Sequence, residues 1–412
     1  MSFGPDLAAM NNVPPAKLTL RQALFLLVVV PIFFLLTLEM GARVLEIFWA
    51  SKSSGANAPQ VLEMPTWMLK EANSTTRPKV DKDDLEWLNL FQEGNGYRVN
   101  LKPNASANVK NTFSLIPSDR NRRRVIQSNS IGFRSPEISR SKPTSTFRIL
   151  VFGDSSSFGW GVNAEESWSS LLQKRLQEEH PKSKIEVANF AIPGDSSAYG
   201  RLIFDAFAPE YESDLVILGF GANDAKLVFT SHTDQVSRFS NNSLLGDTRR
   251  LLRHSALFRG FERALAPKRP SAEEVAKKLA SQRRVAAVSR GAYADNLTYM
   301  AAKARELGNR NALILTLCTP GDYAREARVA AKRTQSLSFN GQGSLIRLIS
   351  KAKSGEAYPE YVQAMQESYP SSLRQNDRFY ITSDGCHPNE LGHRYIADRV
   401  ASIIDRAGLI GG

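Results

Sequence analysis

The tetrapeptide GDSS occurs twice in this sequence, at Gly153–Ser156 and at Gly194–Ser197. The first serine of each copy therefore has the same local setting. A serine becomes a nucleophile when a neighbouring base takes its proton and an acid orients that base. The stretch DGCH, Asp384–His387, carries both partner types, an aspartate and a histidine three residues apart on a tight turn. These residue types predict acyl transfer through a serine ester.

The elements that would position these residues are visible after Phe147, where apolar runs alternate with helical patterns. Strands are predicted at 148–152, 185–190, 215–220 and 312–317, and helices at 199–207, 293–307 and 389–404. A further helix is predicted to begin near Asn163 and Glu166, because these two residues have the spacing of a capping box. This alternation favours an α/β fold with a central, mostly parallel sheet covered on both faces. Sites in such sheets form where strands end. Ser155, Gly194 and Asn223 each follow a predicted strand.

Only one of the five histidines is well placed as the base. His180 lies at a polar helix end, and His232 and His254 lie in charged stretches. His393 follows a glycine on the last predicted helix, where we expect it to cap or pack. His387 therefore remains as the predicted base.

Four segments, in this order, resemble the hallmark segments of the SGNH hydrolases, also called GDSL esterases or lipases. They are Gly153–Ser155, Asn189–Gly194, Gly221–Asp224 and Asp384–His387. The resemblance implies a three-layer α/β/α SGNH-hydrolase-like fold. It also implies a catalytic set of Ser155, Asp384 and His387, and an oxyanion hole formed by the backbone N–H groups of Ser155 and Gly194 and the side-chain amide of Asn223.

The remaining polar residues of these segments are given structural roles. We expect Ser196 and Ser197 to cap the following helix. Asp154 and Asp224 are expected to hold loops by hydrogen bonds, since buried polar groups need partners. No metal is expected, because Asp384 and His387 have no third ligand nearby in the sequence, and no cofactor is expected either.

The N-terminus predicts a membrane anchor. Residues 22–38 are uncharged, and Lys17 and Arg21 precede them. A cleaved signal peptide is the alternative, but the nearest small-x-small site, Ala56–Ala58, lies too far downstream. With the positive flank first, the N-terminus stays cytoplasmic and the rest is exported, so we expect a single-pass inner-membrane protein with a periplasmic catalytic domain.

The predicted organisation has four parts. Residues 1–16 form a cytoplasmic tail, 17–45 a transmembrane signal-anchor helix, 46–146 a stalk with an accessory lobe, and 147–410 the hydrolase domain. In the accessory lobe, 97–101 and 124–127 are candidate short strands that pair with each other or join a sheet edge, and 119–124 is interpreted as a solvated turn. The motif Asn129–Arg134 resembles a bacterial membrane-anchored subgroup associated with extracellular polysaccharides.

Two further features leave alternatives open. A basic helical insertion at about 225–290 is interpreted either as amphipathic helices for an anionic membrane or acidic polymer, or as a solvated lid. A later segment, 322–376, with tyrosines at 358, 361 and 369, is expected to shape the acceptor pocket; its aromatic rings suit sugar faces, and they also suit ordinary packing. The two cysteines, Cys318 and Cys386, are candidates for a disulfide in an oxidising compartment.

Three functions are consistent with these features. The first is an esterase that removes acyl groups, with acetyl expected, from an extracytoplasmic carbohydrate. The second is an O-acyltransferase that uses the same acyl-enzyme, and the third is a non-catalytic component of polysaccharide export. The net charge of +12 does not select a partner by itself. Export makes nucleic acid an unexpected partner. The expected partners are therefore an acylated carbohydrate or other small ester, the membrane and polysaccharide-assembly proteins.

Overall fold

The computed structural model describes a large part of the 412-residue chain. The described residues are 19, 25–53, 90–92, 100–110, 114–115, 119–241, 252, 255–265, 284–308, 311–353, 379–381 and 385–411. Asp384 and the tyrosines at 358, 361 and 369 lie outside them.

The N-terminal helix α1 spans Val30–Ser53, after a π-helical turn at Phe25–Val29. The stretch Leu27–Leu45, which starts in this π-helical turn and continues into α1, is the one helical segment of the described chain that is long and apolar enough to cross a membrane. The chain divides into two compact units, of which the first comprises residues 1–60 and 242–274 and the second comprises 61–241 and 275–412.

A five-stranded parallel sheet forms the centre of the second unit. Its strands, in chain order, are β5 (Thr146–Gly153), β6 (Lys184–Asn189), β7 (Leu215–Gly219), β10 (Asn311–Thr316) and β11 (Leu337–Asn340). Their spatial order is β11-β10-β7-β5-β6, so β5 pairs with β6 on one side and β7 on the other. The predicted parallel sheet is confirmed. Strand order reverses at β5, which is where ligands bind in open α/β sheets.

Helices cover both faces of this sheet, as the α/β/α architecture requires. Among the described residues of the second unit, the helices are α2 (Ser155–Phe158), α3 (Trp168–Glu179), α4 (Ser197–Phe207), α5 (His232–Asn241), α7 (Arg290–Glu306), α8 (Gly321–Arg333), α9 (Gly341–Lys353) and α10 (Glu390–Arg406). Alternate side chains of β5 point to opposite faces. Accordingly, Ile149 and Val151 join one buried apolar cluster with α3 and α10, whereas Leu150 and Phe152 join another with α4 and α7.

Short strands lie before and beside the sheet. They are β1 (Phe91–Gln92), β2 (Asn100–Leu101), β3 (Ser106–Lys110), β4 (Arg123–Gln127), β8 (Leu227–Val228) and β9 (Val285–Ala286). The two candidate strands of the accessory region do not pair with each other: β2 pairs with β1, and β4 pairs with β3. The pair β8–β9 joins the two ends of the basic insertion.

The expected solvated turn at 119–124 is wrong for its last residue. Arg124 is buried, and its guanidinium contacts Asp119 at 2.7 Å and Glu390 at 3.0 Å. It also donates to the Gly161 carbonyl. Arg124 therefore links the accessory region to the start of α10 and to the loop after α2.

The helix predicted from Asn163 begins later than its capping box suggests. Asn163 and Glu166 do form that box, but the element that it caps is a separate short 3-10 turn at Ala164–Glu166. Helix α3 then starts at Trp168, with the Ser167 hydroxyl accepting the backbone N–H of Ser170. The Trp168 N–H donates to Nδ1 of His393, so His393 has the capping role expected of it.

Candidate active site

Three consecutive loops at the carboxyl edge of the sheet carry the predicted site residues. Ser155 follows the central strand β5, Gly194 follows β6 and Asn223 follows β7. The strands are in register there, since Val151 pairs with Asn189 and Gly153 with Gly219. The sheet therefore brings the three loops together, as predicted from where the apolar runs end.

Ser155 begins the short helix α2. Asp154 is the N-cap, and its carboxylate accepts the backbone N–H of Ser156 at 2.9 Å and the Ser156 hydroxyl at 2.6 Å. Gly153 is required for a close approach, because a Cβ at this position would lie 2.6 Å from the Gly219 carbonyl oxygen. This tight packing against β7 fixes where Ser155 stands.

His387 contacts the predicted nucleophile directly. The Ser155 Oγ lies 2.8 Å from the His387 Nε2, and both side chains are buried. Hydrogen-bond contact between a serine hydroxyl and an imidazole is the geometry that general-base activation needs. Since Nε2 faces Ser155, Nδ1 is the ring atom that an orienting acid would contact. Asp384 lies outside the described residues.

The segment that carries His387 is fixed by backbone and covalent links. The carbonyl of His387 accepts the N–H of Ile381 at 2.8 Å, and Asn389 donates to the Phe379 carbonyl at 2.9 Å. Cys386 forms a disulfide with Cys318, at the end of β10. The covalent bond thus ties the residue next to His387 to the sheet.

The Gly194 and Asn223 loops are bonded to each other. Gly194 has a φ of 85°, a left-handed conformation that favours glycine. The Asn223 Nδ2 donates to the Asp195 carbonyl at 2.9 Å, and its Oδ1 accepts from the Lys226 Nζ at 2.6 Å. These two bonds hold the Asn223 amide in a fixed orientation beside the Gly194 loop. A side-chain amide that is already oriented is suited to donate to developing negative charge.

The region that contains these loops is similar in sequence to a known protein family. Residues 151–395 match the sequence profile described as the GDSL-like Lipase/Acylhydrolase family. The chain belongs to this family. The resemblance to SGNH hydrolases noted in the four sequence segments is confirmed.

Individual members of the family match over shorter stretches. Esterase TesA of Pseudomonas aeruginosa is 40% identical over 76 residues, which are 18% of this chain and 37% of the relative. An arylesterase of Vibrio mimicus is 38% identical over 77 residues, 19% of this chain and 38% of the relative. The chain therefore spans well under half the length of these relatives. The crystal structure of the psychrotrophic esterase EstA from Pseudoalteromonas sp. aligns with a TM-score of 0.36 and 17% identity, covering 63% of this chain and 97% of that one.

Two serines and one histidine of this GDSL-family chain have roles that the sequence did not indicate. The Ser196 hydroxyl lies 2.9 Å from Nδ1 of His232, and the Ser197 hydroxyl donates to Asp224 at 2.5 Å. Neither serine side chain caps α4, so the expected capping role is wrong; Ser196 is the N-cap by position alone. His232 is not a candidate base by sequence, because it lies in a charged stretch. Its burial arises from the contact of α5 with α4, which the sequence does not show.

The motif Asn129–Arg134 supports the loop behind the nucleophile. Arg134 is buried and donates to the carbonyls of Gly159 and Val162, each at 2.6 Å. Burial lowers the pKa of Arg134 to about 10, which leaves it charged at neutral pH. A charged guanidinium on these carbonyls stabilises the turn that follows α2.

Asp154 and Asp224 are buried carboxyls beneath the site, and both hold loops by hydrogen bonds as expected. Burial raises the pKa of Asp154, and it raises the pKa of Asp224 to about 7, with the nearby Asp154 charge contributing. The folded state therefore binds the Asp224 proton more tightly than the unfolded chain does. Stability from this group is fully present below about pH 4 and is lost as the pH rises through about 7.

We expect Asp224→Asn to remove that pH dependence. An asparagine oxygen still accepts from Ser197 but does not titrate. Thermal unfolding of the detergent-solubilised full chain, followed by circular dichroism at a series of pH values, measures the difference. Relative to the variant, the wild type should lose on the order of 4 kcal/mol between acidic pH and pH 8. Parallel profiles for the two proteins would show that Asp224 does not change its protonation.

The disulfide gives a second prediction. Cys318 and Cys386 are 68 residues apart, and a cross-link of that span removes loop-closure entropy from the unfolded chain worth about 4 kcal/mol. We expect a reductant to lower the melting temperature and the reactivity of Ser155 toward a fluorophosphonate together, because the bond fixes the neighbour of His387. The double variant Cys318→Ser/Cys386→Ser should reproduce both losses and no longer respond to reductant. An unchanged melting temperature under full reduction contradicts this.

Proposed function

We propose that this protein is a membrane-anchored serine esterase that removes acyl groups, acetyl being the expected one, from a carbohydrate outside the cytoplasm. The observation that carries the proposal is the buried hydrogen bond between the Ser155 hydroxyl and the His387 imidazole. It lies at the switch point of the sheet, within the region that matches an acylhydrolase family.

The proposed reaction proceeds in two halves. Ser155 Oγ attacks the ester carbonyl while His387 Nε2 takes the hydroxyl proton, with Asp384 as the orienting acid. Collapse of the tetrahedral intermediate breaks the ester C–O bond, and the departing sugar oxygen receives the proton from His387. Water, deprotonated by the same histidine, then hydrolyses the acyl-serine and releases the acid.

The oxyanion is proposed to bind three donors. These are the backbone N–H groups of Ser155 and Gly194 and the side-chain amide of Asn223. The hydrogen bonds of Asn223 to Asp195 and Lys226 support its assignment, because they hold the amide before substrate arrives. Donors that are already oriented need no reorganisation in the transition state.

Two observations support a location outside the cytoplasm. Cys318 and Cys386 are joined in a disulfide, and such bonds persist in oxidising compartments. The apolar helix Leu27–Leu45 is preceded by Lys17 and Arg21, which keep the N-terminus on the cytoplasmic side in the proposed topology. The preference for a carbohydrate rests on the resemblance of Asn129–Arg134 to the polysaccharide-associated subgroup.

The purified full chain, incubated with an aryl acetate and with acetylated polysaccharides of different backbones, tests this proposal. Released acetate and labelling by a fluorophosphonate are the readouts. Acetate release from a polysaccharide supports the full proposal. Acetyl transfer to an added polysaccharide hydroxyl, without net release, would instead identify an O-acyltransferase. A folded protein that neither labels nor hydrolyses any ester would overturn the catalytic assignment.

A further inference from the structure

Helix α6, Ala256–Leu265, lies in the basic insertion but belongs to the same compact unit as the N-terminal helix α1. It packs against α1, from which it is separated by more than 200 residues of sequence. In the part of the chain that the structure describes, the hydrogen bonds from the start of α6 to α1 are all accepted by Glu39. This is the first charged residue after the apolar run of 22–38.

Glu39 caps the start of α6. Its carboxylate accepts the backbone N–H groups of Ala256 at 2.8 Å and Leu257 at 3.2 Å, and the hydroxyl of Ser255 at 2.7 Å. A helix begins with unpaired N–H groups and partial positive charge, so a carboxylate there is favourable. Arg43, one turn further along α1, donates to the same carboxylate at 2.9 Å and keeps it in place.

The position of Glu39 sets the depth of α6 along the apolar segment. Glu39 lies six residues before Leu45, the end of that segment. At a rise of 1.5 Å per residue this is about 9 Å inside its end. Amphipathic helices that lie on membranes bury their apolar face by about 5–10 Å into the boundary between headgroups and acyl chains. The first turn of α6 thus lies at the depth of such a helix.

The sequence of α6 has the matching pattern. Leu257, Phe258, Phe261 and Leu265 fall within an arc of about 100° on a helix of 3.6 residues per turn, whereas Arg259, Glu262 and Arg263 fall on the other side. Charged residues are unfavourable in the hydrocarbon interior of a membrane, so this pattern is typical of a helix at the membrane surface and not of one that crosses it.

Only part of the apolar arc is covered by α1. Leu257 and Phe258 are half-buried, but Phe261 remains 61% exposed. The large apolar side chains that α1 carries between Val30 and Leu45 are exposed as well, with Phe33 at 72%. Phe261 and the exposed side chains of α1 therefore both offer apolar surface suited to lipid.

We propose that α6 is an interfacial helix that Glu39 docks onto the membrane anchor, with Phe261 inserted among the lipids of the outer leaflet. This inference rests on the proposed membrane-spanning role of α1. Because the chain runs from α5 in the catalytic unit to α6 and returns to β9, the docked helix is a second attachment of that unit to the membrane. The residues that flank α6 in the sequence include the basic pairs Arg249–Arg250 and Lys268–Arg269, a composition that favours anionic headgroups.

Depth-dependent fluorescence quenching in the full chain tests the proposal. Both native cysteines are in the disulfide, so Phe261→Cys offers a single thiol for an environment-sensitive fluorophore. The labelled protein is reconstituted in vesicles of phosphatidylcholine and phosphatidylglycerol that contain spin-labelled lipids. We expect strong quenching by a spin label near the headgroup and weaker quenching by one near the end of the acyl chain.

A second probe and two variants separate the possible causes. A probe at Phe33→Cys reports on α1 and should be quenched most by the deep spin label. Quenching at Phe33 without quenching at Phe261 overturns the inference and leaves the anchor intact, whereas no quenching at either position overturns both. Glu39→Ala should abolish quenching at Phe261, while Glu39→Gln, which keeps an acceptor oxygen, should retain most of it. Neither variant should change the hydrolysis of a soluble aryl acetate. Full quenching at Phe261 in Glu39→Ala would overturn the docking role of Glu39.

Discussion

Replacing Ser155 by alanine, His387 by alanine, or both together is expected to lower kcat for an acetyl ester by the same large factor, roughly 10⁵–10⁶-fold. The reason is the 2.8 Å contact between the two side chains. Without the imidazole the hydroxyl is not deprotonated, and without the hydroxyl the imidazole has nothing to activate. Either loss therefore removes the whole covalent pathway, so the second substitution has nothing left to remove.

Initial-rate kinetics on an aryl acetate, with protein of verified fold, measure these factors. Matched controls are Ser237→Ala and His180→Ala, both outside the site. Ser237 is exposed, and its hydroxyl bonds to a carbonyl of its own helix, while His180 contacts Asp405 near the end of α10. Both controls should retain wild-type rates. A double variant far slower than either single variant would show that Ser155 and His387 act independently, contrary to the proposed mechanism.

The sheet and the position of Ser155 could be predicted because both depend on local sequence. Fully buried parallel strands appear as unbroken apolar runs. The runs at 148–152 and 215–220 differ from β5 and β7 by no more than two residues at either end. Strand β11 was not predicted, because LSFN is only four residues long and alternates in burial at the sheet edge.

Contacts between distant segments were not predictable in the same way. Arg124 appears in the sequence as one of several charged residues in a row, yet in the fold it contacts three acidic side chains and the loop after α2. The serines of the second GDSS had an obvious local role as helix caps. Their hydroxyls instead bond to His232 and Asp224, which lie on segments that only the tertiary structure brings close.

The basic insertion shows the same limit. Its amphipathic pattern was recognisable, but the sequence left a lid and a membrane contact equally open. The proposed membrane contact is argued from the hydrogen bonds of Ser255, Ala256 and Leu257 to Glu39, which lies more than 200 residues earlier in the chain. Spacing within the insertion carries no information about this partner.

Asn223→Ala is expected to lower kcat by about 10²–10³-fold and to change KM little. This is the effect of removing one oxyanion donor that acts mainly in the transition state. The Asn223 Nδ2 carries two hydrogens. One is directed to the Asp195 carbonyl at 2.9 Å, and this bond leaves the other in a fixed direction for the substrate oxygen.

Lys226 extends this prediction to a positioning residue. Its ammonium donates to the Asn223 Oδ1 at 2.6 Å, so Lys226→Met should loosen the amide while leaving its N–H groups present. We expect a smaller fall in kcat than in Asn223→Ala, again with little change in KM, and no further fall when Lys226→Met is added to Asn223→Ala. Asn311→Ala, an exposed asparagine at the start of β10, is the matched control and should leave the rate unchanged. For Asn223→Ala, a rise in KM at constant kcat would contradict the oxyanion role. It would show that Asn223 contributes equally to binding the ground state and the transition state.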